Sequence, residues 1–228
     1  MDLVDESYKV SKPKAVVFDW DNTLVDTWDL IHESLNYVLS KYGMETWSLS
    51  ETKIRIHKSL KDTLPQYFPD NWQEIADIYR GYYSEHLDTT KPLPKAKDTL
   101  DILMEHNIPI CVVTNKRNWL MHKELNLLKW NKYFKSIVGS GDVKLDKPEI
   151  FGVEKVLRDI SKIPGEDIWF VGDSVTDMET AHNSGCVPVF FGEDDYNDDR
   201  FKHCRPKIYF KTHHEMSVYL QKLLNNDA

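Results

Sequence analysis

Cysteine is scarce in this chain: 228 residues carry three, Cys111, Cys186 and Cys204, widely spaced and without a CxxC pair. That excludes a disulfide framework and a thiolate zinc site, and it suits ordinary buried thiols in a reducing compartment. Positive charge is also short, with 29 Lys and Arg against 37 Asp and Glu and a formal net charge of −8. Polyanion-binding surfaces are built from clustered Lys and Arg, so the balance argues against a nucleic-acid partner. A small phosphorylated molecule, which needs only local positive charge, stays open. No apolar run comes near the roughly 18 residues of a membrane span. The opening stretch MDLVDESYKVS is acidic and polar, unlike a secretory signal. Repeats and low-complexity segments are missing too. These absences lead us to expect a soluble, cytoplasmic protein with no membrane partner.

What is present suffices for a packed core: 41% hydrophobic and 12% aromatic residues. The length fits one substantial domain, or a core with a smaller insertion. KAVVFD (14–19), IPICVVTN (108–115), FKSIVGS (134–140), DIWFVGD (167–173) and CVPVFFG (186–192) are compact apolar runs ending near polar residues, and KIYF (207–210) is a sixth. Between them KDTLDILMEHN (97–107), NWLMHKELNLLKW (118–130), PEIFGVEKVLRDI (148–160) and TDMETAHNSG (176–185) carry helical spacing. Alternating strand and helix with near-continuous apolar strands predicts a parallel sheet covered on both faces.

Residues 25–90 break that rhythm. One helical face carries Ile31, Leu35, Val38, Leu39 and Tyr42, with Gly43 as its C-terminal cap; a second carries Trp72, Ile75, Ile78, Tyr79 and Tyr82. No strand is expected there. The reading is an α/β fold: a Rossmann-like parallel-sheet core, residues 1–24 plus 91–228, with an inserted α-helical cap, residues 25–90.

In an open parallel sheet, ligands bind beyond the carboxyl ends of the strands. Here those ends offer Asp19, Asp21 and Thr23; Thr114, Asn115 and Lys116; Ser140, Gly141 and Asp142, with Lys147 a little downstream; and Asp173, Ser174 and Asp177. Converging carboxylates need a cation, and an oxygen-rich set suits Mg²⁺. Such an ion, with a lysine and hydroxyls, suits a phosphoryl group.

FDWDNTL, VVTN, DKPEI and FVGDSVTD stand in this order along the chain. Together they resemble the four signatures of the haloacid dehalogenase superfamily, chiefly its aspartate-nucleophile phosphatases. The cap placement looks most like that of phosphoglycolate-phosphatase-like members. The resemblance implies that Asp19 is the nucleophile and Asp21 the acid and base, with Thr23 orienting Asp21 by a hydrogen bond. Thr114 and the backbone N–H of Asn115 would hold phosphoryl oxygens. Lys147 would neutralise charge, and it is preferred to Lys144 because Lys-Pro is the family's form. Asp19, Asp173, Asp177 and the main-chain carbonyl of Asp21 would hold Mg²⁺.

There are departures. Asn22 stands where the family has glycine, and Asn tolerates left-handed backbone. Trp20 replaces an aliphatic residue, which is expected to alter bulk rather than chemistry. In the cap, the loop expected over the site is IRIHKSLKDTLP (54–65), and Arg55, His57 and Lys58 are its candidate substrate contacts. Blander readings cover other residues. Trp28, Trp72, Tyr79 and Tyr82 read as cap core, and His213 with His214 as a surface pair at a helix start. Asp173 and Asp177 read as N-cap residues of the next helix, compatibly with metal binding, and Ser174 as structural. EDDYNDD (193–199) reads as a solvated loop. The expected activity is Mg²⁺-dependent hydrolysis of a small phosphomonoester by a monomer or homodimer. A phosphomutase using the same aspartates is the alternative, and a non-catalytic binding or regulatory protein that kept the fold is a third.

Overall fold

The computed structural model describes residues 10–56, 60–193 and 196–225. The chain divides into two compact units: the chain up to Val25 together with Pro92 onward, and Asp26–Lys91.

The larger unit is built on six strands: β1 (Ala15–Phe18), β4 (Ile110–Arg117), β5 (Phe134–Ser140), β6 (Ile168–Gly172), β7 (Val187–Phe191) and β8 (Ile208–Phe210). They pair in the order β5-β4-β1-β6-β7-β8, every pair parallel. β1, β6 and β7 are buried at every residue, because helices cover both faces. Alternation within β1 shows the two faces directly. Val16 and Phe18 join a cluster with Leu100 and Leu103 of α5 (Ala96–Glu105), Met121 and Leu125 of α6 (Asn118–Leu128), and Met216 and Leu220 of α9 (His213–Asn225). Ala15 and Val17 face the other way, toward Val153, Val156 and Leu157 of α7 (Phe151–Asp159) and Ala181 of α8 (Val175–Ser184). From β1 the chain winds outward through β4 to β5, then returns to β6 and winds the opposite way. That reversal flanks β1, and the crevice at the carboxyl ends of β4, β1 and β6 is where such a sheet takes its ligand.

β4 runs past Asn115 to Arg117, and the reason bears on the site. Val113 pairs with Val138 and Arg117 with Ser140, so four steps along β4 match two along β5. The surplus is a bulge holding Thr114, Asn115 and Lys116, a device that re-aims side chains at a strand end.

α9 corrects one expectation. His213 is buried rather than a surface residue, whereas His214 is exposed. His213 Nε2 donates to the main-chain carbonyl of Thr23 at 2.7 Å, and its Nδ1 lies 3.0 Å from the Thr99 hydroxyl. Burial pushes its pKa down to about 4 against the raising effect of the Thr23 hydrogen bond, so the ring is neutral.

The smaller unit is helical: α1 (Trp28–Lys41), α2 (Leu49–Arg55), α3 (Leu60–Tyr67) and α4 (Trp72–Glu85). α1 ends as expected on Gly43 at φ +68°, with its N–H on Ser40 O and that of Met44 on Leu39 O. The buried faces are rotated slightly from those expected. α1 buries Leu30, Ser34, Leu35, Val38 and Leu39 and leaves Tyr42 exposed. α4 buries Ile75, Ala76, Tyr79 and Tyr83, while Trp72, Ile78 and Tyr82 are half-buried. Tyr82 instead stacks between Tyr37 and His86. α2 and α3 replace most of the loop expected over 54–65. α2 opens on a capping box in which Ser48 and Glu51 satisfy each other's backbone N–H groups. A further difference is a two-stranded ribbon, β2 (Val25–Asp26) with β3 (Lys91–Pro92), where the chain leaves and re-enters the core. Strands of two residues show no alternation to read. No helix among the described residues is long and apolar enough to cross a membrane. All three cysteines are free and buried.

Candidate active site

Asp19 follows β1 directly, and its backbone N–H donates to Val171 O at 2.8 Å, which ties the end of β1 to β6. The chain then turns sharply. Leu24 and Val25 both donate to the carbonyl of Trp20, and Asn22 takes the left-handed φ of +57° that its position demands. At the end of β6, Ser174 caps α8. Its hydroxyl accepts from the Asp177 N–H at 3.2 Å, and Asp177 Oδ2 accepts from the Ser174 N–H at 3.1 Å. The N-cap is thus Ser174, and Asp177 is its capping-box partner; Asp173 lies just before the helix. Gly172 makes room for this, since a Cβ there would lie 2.3 Å from Asp177 Cγ.

Lys147 closes the group from the loop after β5. Its ammonium donates to Asp19 Oδ1 and to Asp177 Oδ1, at 2.6 Å each. The Asn115 side chain holds the Lys147 backbone at both ends of its amide: Oδ1 accepts from Lys147 N at 2.9 Å, and Nδ2 donates to Lys147 O at 3.1 Å. Lys147 is buried and Lys144 is exposed. Asp173 completes the set, with carboxylate oxygens of Asp19, Asp173 and Asp177 all within 4.8 Å of one another. The Thr23 hydroxyl donates to Asp173 Oδ1 at 3.2 Å, where a bond to Asp21 was expected. The Thr114 hydroxyl is buried and accepts from the Lys116 N–H at 3.2 Å.

The electrostatics follow from this crowding. Burial, with repulsion from Asp177 and Asp21, pushes Asp19 up to about 7 against the pull of Lys147. Burial and the charges of Asp177 and Asp19 likewise raise Asp173 well above the carboxylate range. Burial opposes the charge on Lys147, but Asp177 and Asp19 more than offset it and hold the amine protonated. Were all three carboxylates ionised, the one ammonium would leave a charge of −2 in a largely buried space. A divalent cation matches that charge, and an all-oxygen donor set suits a hard ion such as Mg²⁺. The residues therefore fit the metal.

The Asp21 side chain is not among those carboxylates. It turns to Lys116, whose ammonium lies 2.6 Å from Asp21 Oδ1. Lys116 also donates to both oxygens of Glu124 at 2.7 Å, and Glu124 accepts from the Trp20 indole N–H at 2.6 Å. Trp20 therefore supplies a hydrogen-bond donor as well as bulk. This buried network went unread in the sequence, although one signal was there. Glu124 lies on the α6 face that carries Leu120, Met121 and Leu125, an acid on an apolar stripe. In the smaller unit, Arg55 pairs with Glu51 at 3.2 Å and covers the Trp47 ring at 4.7 Å. His57 and Lys58 lie outside the described residues.

A parallel sheet with carboxylates, a lysine and a threonine at its switch point defines a class. Residues 16–190 match the family model of haloacid dehalogenase-like hydrolases, and the chain belongs to that family. It is 35% identical over 179 residues to a protein of Caldanaerobacter subterraneus subsp. tengcongensis provisionally named pyrophosphatase PpaX, covering 78% of this chain and 81% of that one. It is 29% identical over 174 residues to the phosphoglycolate phosphatase of Aquifex aeolicus, covering 75% and 81%. Among solved structures, a haloacid dehalogenase-superfamily hydrolase from Ehrlichia chaffeensis superposes with a TM-score of 0.68 at 28% identity, over 95% of this chain and all of that one.

Proposed function

We propose that the protein is a Mg²⁺-dependent phosphatase of small phosphomonoesters, working in the cytoplasm through a phosphoaspartate on Asp19. The observation that supports this best is the gathering of three carboxylates, Asp19, Asp173 and Asp177, with their oxygens within 4.8 Å of one another and only one ammonium, that of Lys147, in contact with them among the described residues. Asp19 attacks phosphorus, and the P–O bond to the alcohol breaks as Asp21 gives that oxygen its proton. Asp21, now ionised, takes a proton from water; the resulting hydroxide attacks phosphorus, phosphate leaves and Asp19 is restored. Lys147, Thr114 and the backbone N–H of Asn115 hold phosphoryl oxygens and offset their charge. Asp19, Asp173, Asp177 and the main-chain carbonyl of Asp21 would hold Mg²⁺, which when bound supplies charge stabilisation to the transferring group. The Asp26–Lys91 unit would serve as the cap that shields the site and selects the substrate.

A second reading, hydrolysis of a phosphoric anhydride, is favoured by the relative named for pyrophosphate hydrolysis. One experiment decides between them. Phosphate release is measured with and without Mg²⁺ from 2-phosphoglycolate, sugar phosphates, nucleoside monophosphates and pyrophosphate, with Asp19→Asn alongside. Turnover that needs Mg²⁺ and falls at least roughly a thousandfold in Asp19→Asn is the expected result. Release confined to pyrophosphate would transfer the assignment to the anhydride. Isomerisation of a sugar phosphate without net release would make it a mutase.

A further inference from the structure

Glu124 has no place in the reaction above, yet its side chain is fully buried and pairs with Lys116, itself 5% exposed. A buried carboxylate is costly unless paired and hydrogen-bonded. Glu124 is both: Lys116 donates to each of its oxygens at 2.7 Å, and Trp20 donates to Oε2 at 2.6 Å. Trp20 is itself immobilised, fully buried with Trp130 and Phe134 edge-on at 6.2 and 5.9 Å. The far end of the network is Asp21. Lys116 approaches its Oδ1 at 2.6 Å by charge, and that oxygen is buried without an aligned hydrogen-bond donor among the described residues. The Asp21 side chain is nonetheless 22% exposed, so its accessible surface lies away from Oδ1. Trp20 and Asp21 are chain neighbours. Glu124 therefore grips the loop after Asp19 twice, directly through Trp20 and through Lys116 at Asp21.

We propose that Glu124 is a positioning residue: by fixing Lys116 and Trp20 it holds Asp21 Oδ1 inward and presents the other oxygen to the leaving group. This rests on the reading of Asp21 as acid and base. Lys116 alone could satisfy the charge of Asp21, but a long flexible amine would not define its direction. The carboxylate of Glu124, bonded to that amine through both oxygens, does. Proton transfer is steep in geometry, so a small rotation of Asp21 is costly in rate.

Leaving-group dependence separates positioning from a purely structural role. An alkoxide needs the proton of Asp21, whereas 4-nitrophenolate departs without one. We would measure kcat/KM for an alkyl phosphate, the best of the panel above, and for 4-nitrophenyl phosphate, because kcat/KM reads the first phosphoryl transfer. The proteins are wild type, Glu124→Gln, Trp20→Phe, Asp21→Asn and the double variant Asp21→Asn/Glu124→Gln. Glu124→Gln keeps the shape and an acceptor for Trp20, and Trp20→Phe keeps the ring packing and loses the N–H. The expected result is that Glu124→Gln lowers the alkyl ester about tenfold more than the nitrophenyl ester. Trp20→Phe should shift the ratio in the same direction. In the Asp21→Asn background the Glu124 substitution should add no further selectivity. Equal losses on both esters, or selectivity that persists without Asp21, would overturn the proposal and leave Glu124 as scaffold. If Asp21→Asn itself fails to discriminate the esters, the acid role falls, and the positioning role falls with it.

Discussion

Asp19 and Lys147 are 128 positions apart, yet a single 2.6 Å contact joins them. At this scale the site is tight enough for single atoms to matter. Gly172 is the plainest case, because a methyl group there would meet Asp177 Cγ at 2.3 Å. In Gly172→Ala the Asp177 side chain has to move, which breaks its contacts with Lys147 and Ser174. We expect a loss of about 2 kcal/mol in urea unfolding from the overpacking. We also expect roughly a hundredfold loss in phosphate release, because the displaced carboxylate is one of those proposed to hold Mg²⁺. Wild-type turnover in this variant would show that Asp177 has no part in the chemistry. Asp19, Asp173 and Lys147 could be marked from sequence because each lies within or beside a short motif after a strand. The partner of Thr23 could not, since the hydroxyl finds Asp173 at 150 positions' distance.

At the scale of elements, the strands and main helices of the core were legible because period and punctuation act locally. The helical boundaries in the smaller unit were less so. α2 carried a readable capping box, whereas α3 contains Pro65, which argues against a helix in any sequence reading. At the start of α9 the helix was read correctly but the exposure of His213 was not, because two adjacent histidines look polar, while the fold buries His213 against Thr99 and the loop at Thr23. That burial has a pH signature. The folded-state pKa is lowered to about 4, so the stability is fully present above the unfolded value of 6.5 and is lost as pH falls toward 4. Relative to His213→Gln, the wild type should lose about 2 kcal/mol more between pH 7.5 and pH 5. Urea titrations of both proteins at the two pH values check this. Parallel losses would mean that the ring is already protonated or solvated.

For the whole molecule, the proposed metal site would couple folding to metal binding. A divalent ion that binds only the folded state at a hundred times its Kd should raise Tm by roughly 5–10 °C for a chain of this size. The pH trend follows from the raised carboxylates. Protons compete with the ion for Asp19, pushed up to about 7, and for Asp173, so the shift should shrink as pH falls from 8 to 6. Thermal melts with Mg²⁺ and with a chelator, at both pH values, test it. A shift that is missing, or the same at both, would rule out the carboxylate trio as the metal site. The strand–helix rhythm of the chain breaks after Val25 and resumes after Pro92, where the two units divide.

By itself the sequence determined the order of the core's main strands and helices, the parallel sheet, the family and the residues standing at strand ends, because each depends on local period, turn chemistry or spacing within a few residues. Only the tertiary structure decided which of those residues meet. The bulge in β4 turns Lys116 toward Asp21, α6 brings Glu124 beneath it, and α9 brings His213 to the loop that follows Asp19. Such contacts join positions tens to hundreds of residues apart. Their energy comes from burying charge and polar groups with matched partners, a condition that exists only once the sheet and helices have closed around them.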